Sequence, residues 1–384
     1  MPGKPAFTAS QFERYQRHLN LPEFGAAGQR KLLEGSVLMI GAGGLGSPIA
    51  LYLAAAGVGR LGIVDFDVVD VSNLQRQVLY STEDVGRPKH EAARERVSAL
   101  NPEIAVETHP ERLHAGNALE ILGAYDVIID GTDNFPTRYL TNDACVLLGK
   151  PCVYGAILRF EGQASVFDAR RGPCYRCLFP EPPPPGAVPS CAEGGVLGIL
   201  PGVIGLLQAT EAVKLLAGVG EPLIGRFVQY DALDMRFAEF RFAKDPDCAI
   251  CGKNPTIREL IDYEGFCGVA AEPREVVSDV TSADLLRMRE EAADHLLLDV
   301  RNPDEYETAR IEGSRLLPLP ELESRVNELA DWKERKIIVH CHRGARSERA
   351  CRILRDAGFQ DVENLAGGID AWSLTVDGDV PRYD

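Results

Sequence analysis

Three groups of residues in this 384-residue sequence have types and spacings that could do chemistry. The first opens with Gly41-Ala42-Gly43-Gly44-Leu45-Gly46, a turn between a short apolar run and a helical one. Glycines at 41, 43, 44 and 46 let a backbone approach a phosphate, and the next helix offers free N–H groups and the positive end of its dipole. Asp65 ends the second apolar run, 19 residues beyond Gly46, where a carboxylate takes ribose hydroxyls. Alone, these residues fit a dinucleotide site and an NAD-dependent oxidoreductase. The residues beyond Asp65 point elsewhere. A polar stretch from Asp65 to Gln77 holds Asn73 and Arg76; Gly86-Arg87-Pro88-Lys89 puts a cation before a helix; Asp130-Gly131-Thr132-Asp133-Asn134 clusters carboxylates at a strand end. Arginine and lysine suit a triphosphate, and a strand-end aspartate suits Mg2+. An NAD site needs neither.

The second group is two Cys-x-x-Cys pairs, Cys174 with Cys177 and Cys248 with Cys251. Four thiolates close a tetrahedral Zn2+ site at roughly 2.3 Å; four free thiols or a redox pair are the alternatives. The pairs lie far apart in sequence, so a shared metal would tie distant segments together. Cys191, in Pro189-Ser190-Cys191-Ala192-Glu193-Gly194-Gly195, stands outside any pair among small residues, which suits a mobile thiol. Cys145, Cys152, Cys267 and Cys351 lie in apolar or helical contexts and read as inert.

The third group is Cys341-His342-Arg343-Gly344-Ala345-Arg346-Ser347, between an apolar strand and a helix. A thiol there faces backbone N–H groups and a helix N-terminus, which favour a thiolate and then a persulfide anion. Arg343 and Arg346 add positive charge.

The elements that must position these residues alternate. Strands are expected at Ser36–Ile40, Leu61–Val64, Ile104–Thr108, Val127–Ile129 and Pro151–Tyr154. Helices are expected at Leu45–Ala56, Lys89–Leu100 and Thr137–Leu148, which predicts a mostly parallel, doubly wound sheet. A proline-rich crossing loop spans Phe179 to Pro189, and Val196 to Leu216 reads as helical apart from Pro201 and Gly202. Beyond a boundary near Gly265 to Pro273 a second α/β pattern begins. Thr281 and Asp284 form a capping-box pattern ahead of a helix at Leu285–Arg289, strands fall at Leu296–Val300 and Ile337–His340, and helices at Ala345–Ala357 and Ile369–Trp372.

Composition bounds the function. With 41 basic and 57 acidic residues the net charge is -16, which argues against a nucleic-acid backbone as partner. Hydrophobic residues at 45% and charged residues at 26% suit globular domains. No run of about 18 apolar residues indicates a membrane span, and the first ten residues lack a signal-peptide layout. A cytoplasmic setting is expected, in which the 10 cysteines serve as metal ligands or reactive thiols.

From Arg14 to Val269 the glycine loop, the Ser72-Asn73-Leu74-Gln75-Arg76-Gln77 stretch, Gly-Arg-Pro-Lys and Asp-Gly-Thr-Asp-Asn together resemble the molybdopterin-synthase and thiamine-biosynthesis adenylyltransferases, relatives of the ubiquitin-activating enzymes. From Asp279 to Asp384 the Cys341 loop, Leu298-Asp299-Val300-Arg301 and Gly367-Gly368-Ile369-Asp370-Ala371-Trp372 resemble rhodanese domains. Arg346 stands five residues after Cys341, one fewer than the spacing of the related phosphatase loops. Ala309-Arg310-Ile311-Glu312-Gly313 departs from the usual Gly-His-Ile-x-Gly.

The resemblance implies a Rossmann-like adenylyltransferase domain with a zinc site over residues 1–268, a linker over 269–278 and a smaller α/β rhodanese domain over 279–384. ATP would adenylate the C-terminal Gly-Gly carboxylate of a small ubiquitin-like sulfur carrier. Asp65 would hold the ribose, Asn73, Arg76 and Lys89 the phosphates, and Asp133 would position Mg2+ and the reacting carboxylate. Arg17 would reach ATP across a homodimer interface. Cys174, Cys177, Cys248 and Cys251 would hold a structural zinc. Cys341 would take sulfur from thiosulfate or a cysteine desulfurase, and Cys191 would help carry the activated carrier or resolve its sulfur intermediate. The rivals are an NAD-dependent dehydrogenase with a regulatory module and a non-catalytic scaffold for a ubiquitin-like partner.

Overall fold

A computed structural model describes residues 7–184, 187–188, 194–268 and 278–383. The chain divides into two compact units, Met1–Ala270 and Ala271–Asp384. In the first, the strands are β1 (Ser36–Ile40), β2 (Arg60–Val64), β3 (Ala105–His109), β4 (Val127–Asp130), β5 (Cys152–Leu158), β6 (Glu161–Phe167), β7 (Arg226–Asp231) and β8 (Arg236–Arg241). They form one sheet in the order β3-β2-β1-β4-β5-β6-β7-β8. The first five are parallel, and β6, β7 and β8 extend the sheet antiparallel.

Alternation along the parallel strands builds a core on each face. Val37, Met39, Leu61, Ile63, Val127 and Ile129 pack with Ile49, Leu53, Ala93, Val97, Ile204 and Ala212. Leu38, Ile40, Ile128, Cys152 and Tyr154 pack with Leu122, Tyr139, Leu140 and Tyr175. A strand covered on both faces favours apolar residues at successive positions, which is why Val37–Ile40 reads as a continuous run, while the buried Ser36 hydroxyl is satisfied by Asp126 at 2.7 Å. The chain leaves β1 toward β2 and β3, then returns to place β4 on the other side of β1. That reversal makes a crevice at the strand ends beyond Ile40, Val64 and Asp130.

The helix expected to start at Val196 begins at Leu200. Val196 instead bridges to Arg159, and Pro201 sits in the first turn, where a proline costs no helical hydrogen bond. Leu200–Ala217 is apolar and long enough to match a membrane span by composition. It is a core helix here: the Gln208 side chain donates to the carbonyls of Asp130 at 2.7 Å and Val153 at 3.3 Å.

In the second unit β9 (Asp279–Val280), β10 (Leu296–Asp299), β11 (Arg315–Leu316), β12 (Ile337–His340) and β13 (Val362–Leu365) form a parallel sheet ordered β11-β10-β12-β13-β9. Thr281 caps the helix Ser282–Glu290 in a capping box with Asp284. Asp299 pairs with His340 in register, so Arg301 and Cys341 leave adjacent strand ends on the same edge.

A buried ion pair locks helix Phe135–Leu148 to the short helix Tyr175–Leu178. Arg176 meets Asp143 at 2.8 Å, with both side chains almost wholly enclosed, and Tyr263 donates to the same carboxylate at 2.9 Å. Asp143→Ala should destabilise the first unit by about 3–5 kcal/mol, because it strands a buried guanidinium. Urea unfolding checks this; a loss below about 1 kcal/mol would mean that Arg176 is solvated without its partner.

Candidate nucleotide, thiolate and sulfur sites

The glycine loop is shaped by close backbone approaches. A Cβ on Gly46 would lie 2.2 Å from the Gly41 carbonyl oxygen, and Gly41 itself has φ +90°, where side chains are disfavoured. Gly43 and Gly44 line the outer turn, where a Cβ on Gly44 would stand 3.7 Å from Arg76 Cγ. The Asp65 carboxylate fastens the loop to β2: Ala42 N–H donates to Oδ2 at 2.8 Å and Asp67 N–H to Oδ1 at 2.9 Å. Burial raises the Asp65 carboxyl above its ordinary value, against those two bonds and the Lys89 charge.

Lys89 opens the helix Lys89–Leu100 and is 5% exposed, its ammonium 3.2 Å from Asp67. Asn73 closes the turn Val71–Asn73, and Arg76 donates to the Ser72 carbonyl at 2.9 Å. Asp130 ends β4 buried, accepting from Thr132 N–H at 2.9 Å, and burial raises its carboxyl. Asp133 is different: it is exposed, and its carboxylate accepts no hydrogen bond among the described residues. The structure thus brings the loop, Asp65, Arg76 and Lys89 to one crevice, with Asp133 on the adjoining strand end. Arg17, on helix Ala9–Leu19, is exposed and touches Gln16 at 3.4 Å. Cys191 lies outside the described residues.

Two polar groups of this crevice, Tyr80 and Gln77, received no role from the sequence. Tyr80 donates to the Ala42 carbonyl at 2.9 Å, so that Ala42 is held by its carbonyl as well as by its N–H. Gln77 is buried beside Gly43 with its Oε1 unpartnered among the described residues. Gln77 is visible in sequence as the end of the Ser72–Gln77 motif; Tyr80 carries no signal beyond its type.

Cys174, Cys177, Cys248 and Cys251 converge. Their sulfurs stand 3.8 Å (174–177), 3.6 Å (174–248) and 3.4 Å (177–251) apart, all within 4.8 Å of one another. A tetrahedron with roughly 2.3 Å arms has edges of about 3.8 Å, and a disulfide needs about 2.05 Å. The cluster therefore fits a four-thiolate metal site and is too open for disulfides. Gly252 tightens the second turn, where a Cβ would meet the Cys248 carbonyl at 2.5 Å.

In the second unit Cys341 is 2% exposed at the end of β12. Gly344 N–H donates to its sulfur at 3.1 Å and the Ser347 hydroxyl lies 3.3 Å away. Gly368 makes the loop possible: its φ is +58°, and a Cβ would lie 2.4 Å from the Cys341 carbonyl oxygen. Ile369 N–H donates to that same carbonyl at 3.0 Å. Arg346 makes two hydrogen bonds to Glu305, at 2.6 and 2.7 Å. Arg301, fully buried, binds Asp299 and donates to the Ala309 carbonyl at 2.8 Å. A main-chain carbonyl makes that last contact, so the alanine departure at 309 leaves it intact. Burial pushes the His340 imidazole down to about 4, keeping it neutral. Cys145, Cys152, Cys267 and Cys351 are buried in the cores of the two units.

Fold and sites together define a nucleotide-binding α/β domain with a thiolate cluster, then an α/β domain built around a cradled cysteine. Comparison with known proteins places them. The ThiF family matches residues 15–250 and the Rhodanese-like domain matches residues 281–375. The chain belongs to the ThiF family and carries a rhodanese-like domain behind it. It is 48% identical over 98% of its length, and 97% of the other, to "Probable adenylyltransferase/sulfurtransferase MoeZ" of Mycobacterium tuberculosis. It is 57% identical over 68% of its length to the sulfur carrier protein adenylyltransferase of Thermus thermophilus, 99% of which is covered. It is 43% identical to the adenylyltransferase and sulfurtransferase MOCS3 of Sus scrofa, over its whole length and 90% of the other. Among solved structures, E. coli MccB bound to MccA-N7isoASN superposes with a TM-score of 0.57 at 23% identity, covering 62% of this chain and 75% of that one. That likeness shows the fold.

The Glu305–Arg346 pair gives a pH signature. Burial alone would raise the Glu305 carboxyl from 4.5, but Arg346, the Asn302 N–H and the Arg301 charge hold it at about 2. A carboxyl lowered on folding stabilises above its unfolded value, and that stability is lost as pH falls through the folded one. The second unit should therefore weaken between pH 4.5 and about 2, and Glu305→Gln should flatten that part of the profile. Unfolding followed against pH measures it; an unchanged slope in the variant would contradict the pairing.

Proposed function

We propose that this chain adenylates the C-terminal Gly-Gly carboxylate of a small ubiquitin-like sulfur-carrier protein and then gives it sulfur from Cys341, forming a carrier thiocarboxylate. One observation carries the reading: a ThiF-family nucleotide crevice and a buried thiol that accepts from the Gly344 N–H and the Ser347 hydroxyl lie on one chain. Relatives aligned along almost the whole length are named for both activities.

In the first step a carrier carboxylate oxygen bonds to the α-phosphorus of ATP, and the bond to pyrophosphate breaks with its electron pair. Repulsion between carboxylate and triphosphate opposes the approach, so the crevice must supply positive charge. The N–H groups of Gly43, Gly44 and Gly46, with Arg76 and Lys89, provide it, while Gly41 shapes the turn with its own N–H held by the Val64 carbonyl at 2.8 Å; Asn73 adds a neutral donor and Asp65 takes the ribose. Mg2+ at Asp133 would neutralise part of the triphosphate charge. Arg17 serves the crevice of a second copy in a homodimer, consistent with its exposure and its lack of tight local partners.

Sulfur enters at Cys341. Its thiolate attacks the sulfane sulfur of thiosulfate, or of a desulfurase persulfide, and sulfite or the donor thiolate leaves. The resulting persulfide attacks the carrier carbonyl and displaces AMP. A thiol then attacks Cys341 Sγ in the acyl disulfide and releases the thiocarboxylate; Cys191 is assigned that role, leaving a Cys191–Cys341 disulfide for an external thiol to reduce. The four-cysteine cluster holds structural Zn2+.

Asp133→Ala should lower carrier-dependent ATP–pyrophosphate exchange by about 100-fold or more while leaving thiosulfate:cyanide transfer within about twofold. Cys341→Ala should do the reverse. Parallel loss of both activities in either variant would refute independent sites. Metal analysis should find one zinc per chain in fresh protein, lost in Cys174→Ser or Cys248→Ser with reduced stability; protein folded normally without zinc would refute that assignment.

A further inference from the structure

We propose that Tyr383 is a positioning residue for the sulfur site: its ring, stacked on His342, holds the Cys341 loop in the geometry that receives sulfane sulfur. The proposal rests on the sulfur-transfer reading of Cys341. Residues 380–383 come after the helix Gly368–Thr375 and are pinned to the loop's surroundings at three points. The Ser373 hydroxyl donates to the Val380 carbonyl at 2.7 Å, and Arg382 Nε donates to Asp370 at 2.9 Å. The Tyr383 hydroxyl bonds the Arg301 guanidinium and donates to Glu305 Oε1 at 3.3 Å.

The ring of Tyr383 lies flat on the His342 imidazole, with centroids 4.5 Å apart and planes 11° apart. His342 directly succeeds the nucleophile, and its carbonyl accepts from Asp370 N–H at 3.1 Å. Asp370 thus holds the loop by its backbone and Tyr383 holds it by a side chain. Two residues on, Gly344 takes φ +107° and aims its N–H at the sulfur. Glycine adopts many conformations, so that aim needs support from outside the loop.

Ring and hydroxyl contribute unequally. Without the hydroxyl, Arg301 keeps Asp299 and the Ala309 carbonyl, and Glu305 keeps both bonds from Arg346. Without the ring, the face of His342 that it covers loses its neighbour. The charge that needs the cradle is on sulfur throughout the chemistry, first as the Cys341 thiolate and then as the persulfide. As the Cys341 sulfur bonds the sulfane sulfur, the bond to the sulfonate breaks, sulfite departs with the electron pair, and cyanide or the carrier carbonyl then takes the terminal sulfur. A loosened loop weakens that charged stage more than the first encounter with thiosulfate, so the effect falls on kcat rather than KM.

The test is thiosulfate:cyanide transfer by the full chain, with amide hydrogen exchange on the same variants. Tyr383→Ala should lower kcat by about tenfold or more with KM within about threefold, and Tyr383→Phe should recover to within about twofold of the parent. Exchange in Tyr383→Ala should quicken at residues 342–344 and stay unchanged in β12. A Tyr383→Ala kcat within about twofold of the parent, a Tyr383→Phe as slow as Tyr383→Ala, or exchange quickened evenly through β10, β12 and β13 would each overturn the proposal. Failure of the parent protein itself to take sulfur on Cys341 would instead bring down the sulfur-transfer reading, and this proposal with it.

Discussion

Both sites depend on backbone passing against backbone at the end of a parallel strand. Negative charge is gathered there by N–H groups, which reach a ligand only where no side chain intervenes. In the first unit a Cβ on Gly46 would come within 2.2 Å of the Gly41 carbonyl, and in the second a Cβ on Gly368 would come within 2.4 Å of the Cys341 carbonyl. Neither loop can be built from other residues without moving the strand end that carries it. The sheets supply the rest: apolar strands buried on both faces fix those ends, and helices starting beside them turn their N-termini toward the same edge.

Around these loops the charged groups are held by partners. Lys89 sits beside Asp67, Arg346 beside Glu305, and Arg301 beside Asp299, each within hydrogen-bonding distance. Fixed charges cost little reorganisation when a ligand's charge develops, which is what phosphoryl and sulfur transfer require. Asp133 is the exception: exposed and without a hydrogen bond among the described residues, it keeps its acceptor capacity for something that arrives from outside.

Much of this was legible in the sequence because it is local. The glycine loop, Asp65 at the strand end, the two Cys-x-x-Cys pairs and the Cys341 loop each carry their meaning within a few residues. The parallel strands were readable because burial on both faces forces unbroken apolar runs. The antiparallel extension was not: β7 and β8 return to the sheet after a long excursion, and Arg-Phe-Ala-Glu-Phe-Arg at an exposed edge shows no buried face. Pro201 reads as an interruption because its place in a first turn is visible only once the helix start is known. The partners that tune the sites, Glu305 for Arg346, Asp143 for Arg176 and Tyr383 for His342, are distant in sequence and leave no pattern.

The central claim is that adenylation and sulfur transfer converge on one carrier. Intact-mass analysis of carrier after a single turnover with enzyme, ATP and thiosulfate tests it most directly. The account predicts that oxygen-to-sulfur exchange at the carrier C-terminus appears only when ATP, thiosulfate and Cys341 are all present. Carrier that gains sulfur without ATP, or ATP converted to AMP and pyrophosphate with no sulfur gained by the carrier from thiosulfate, would contradict it.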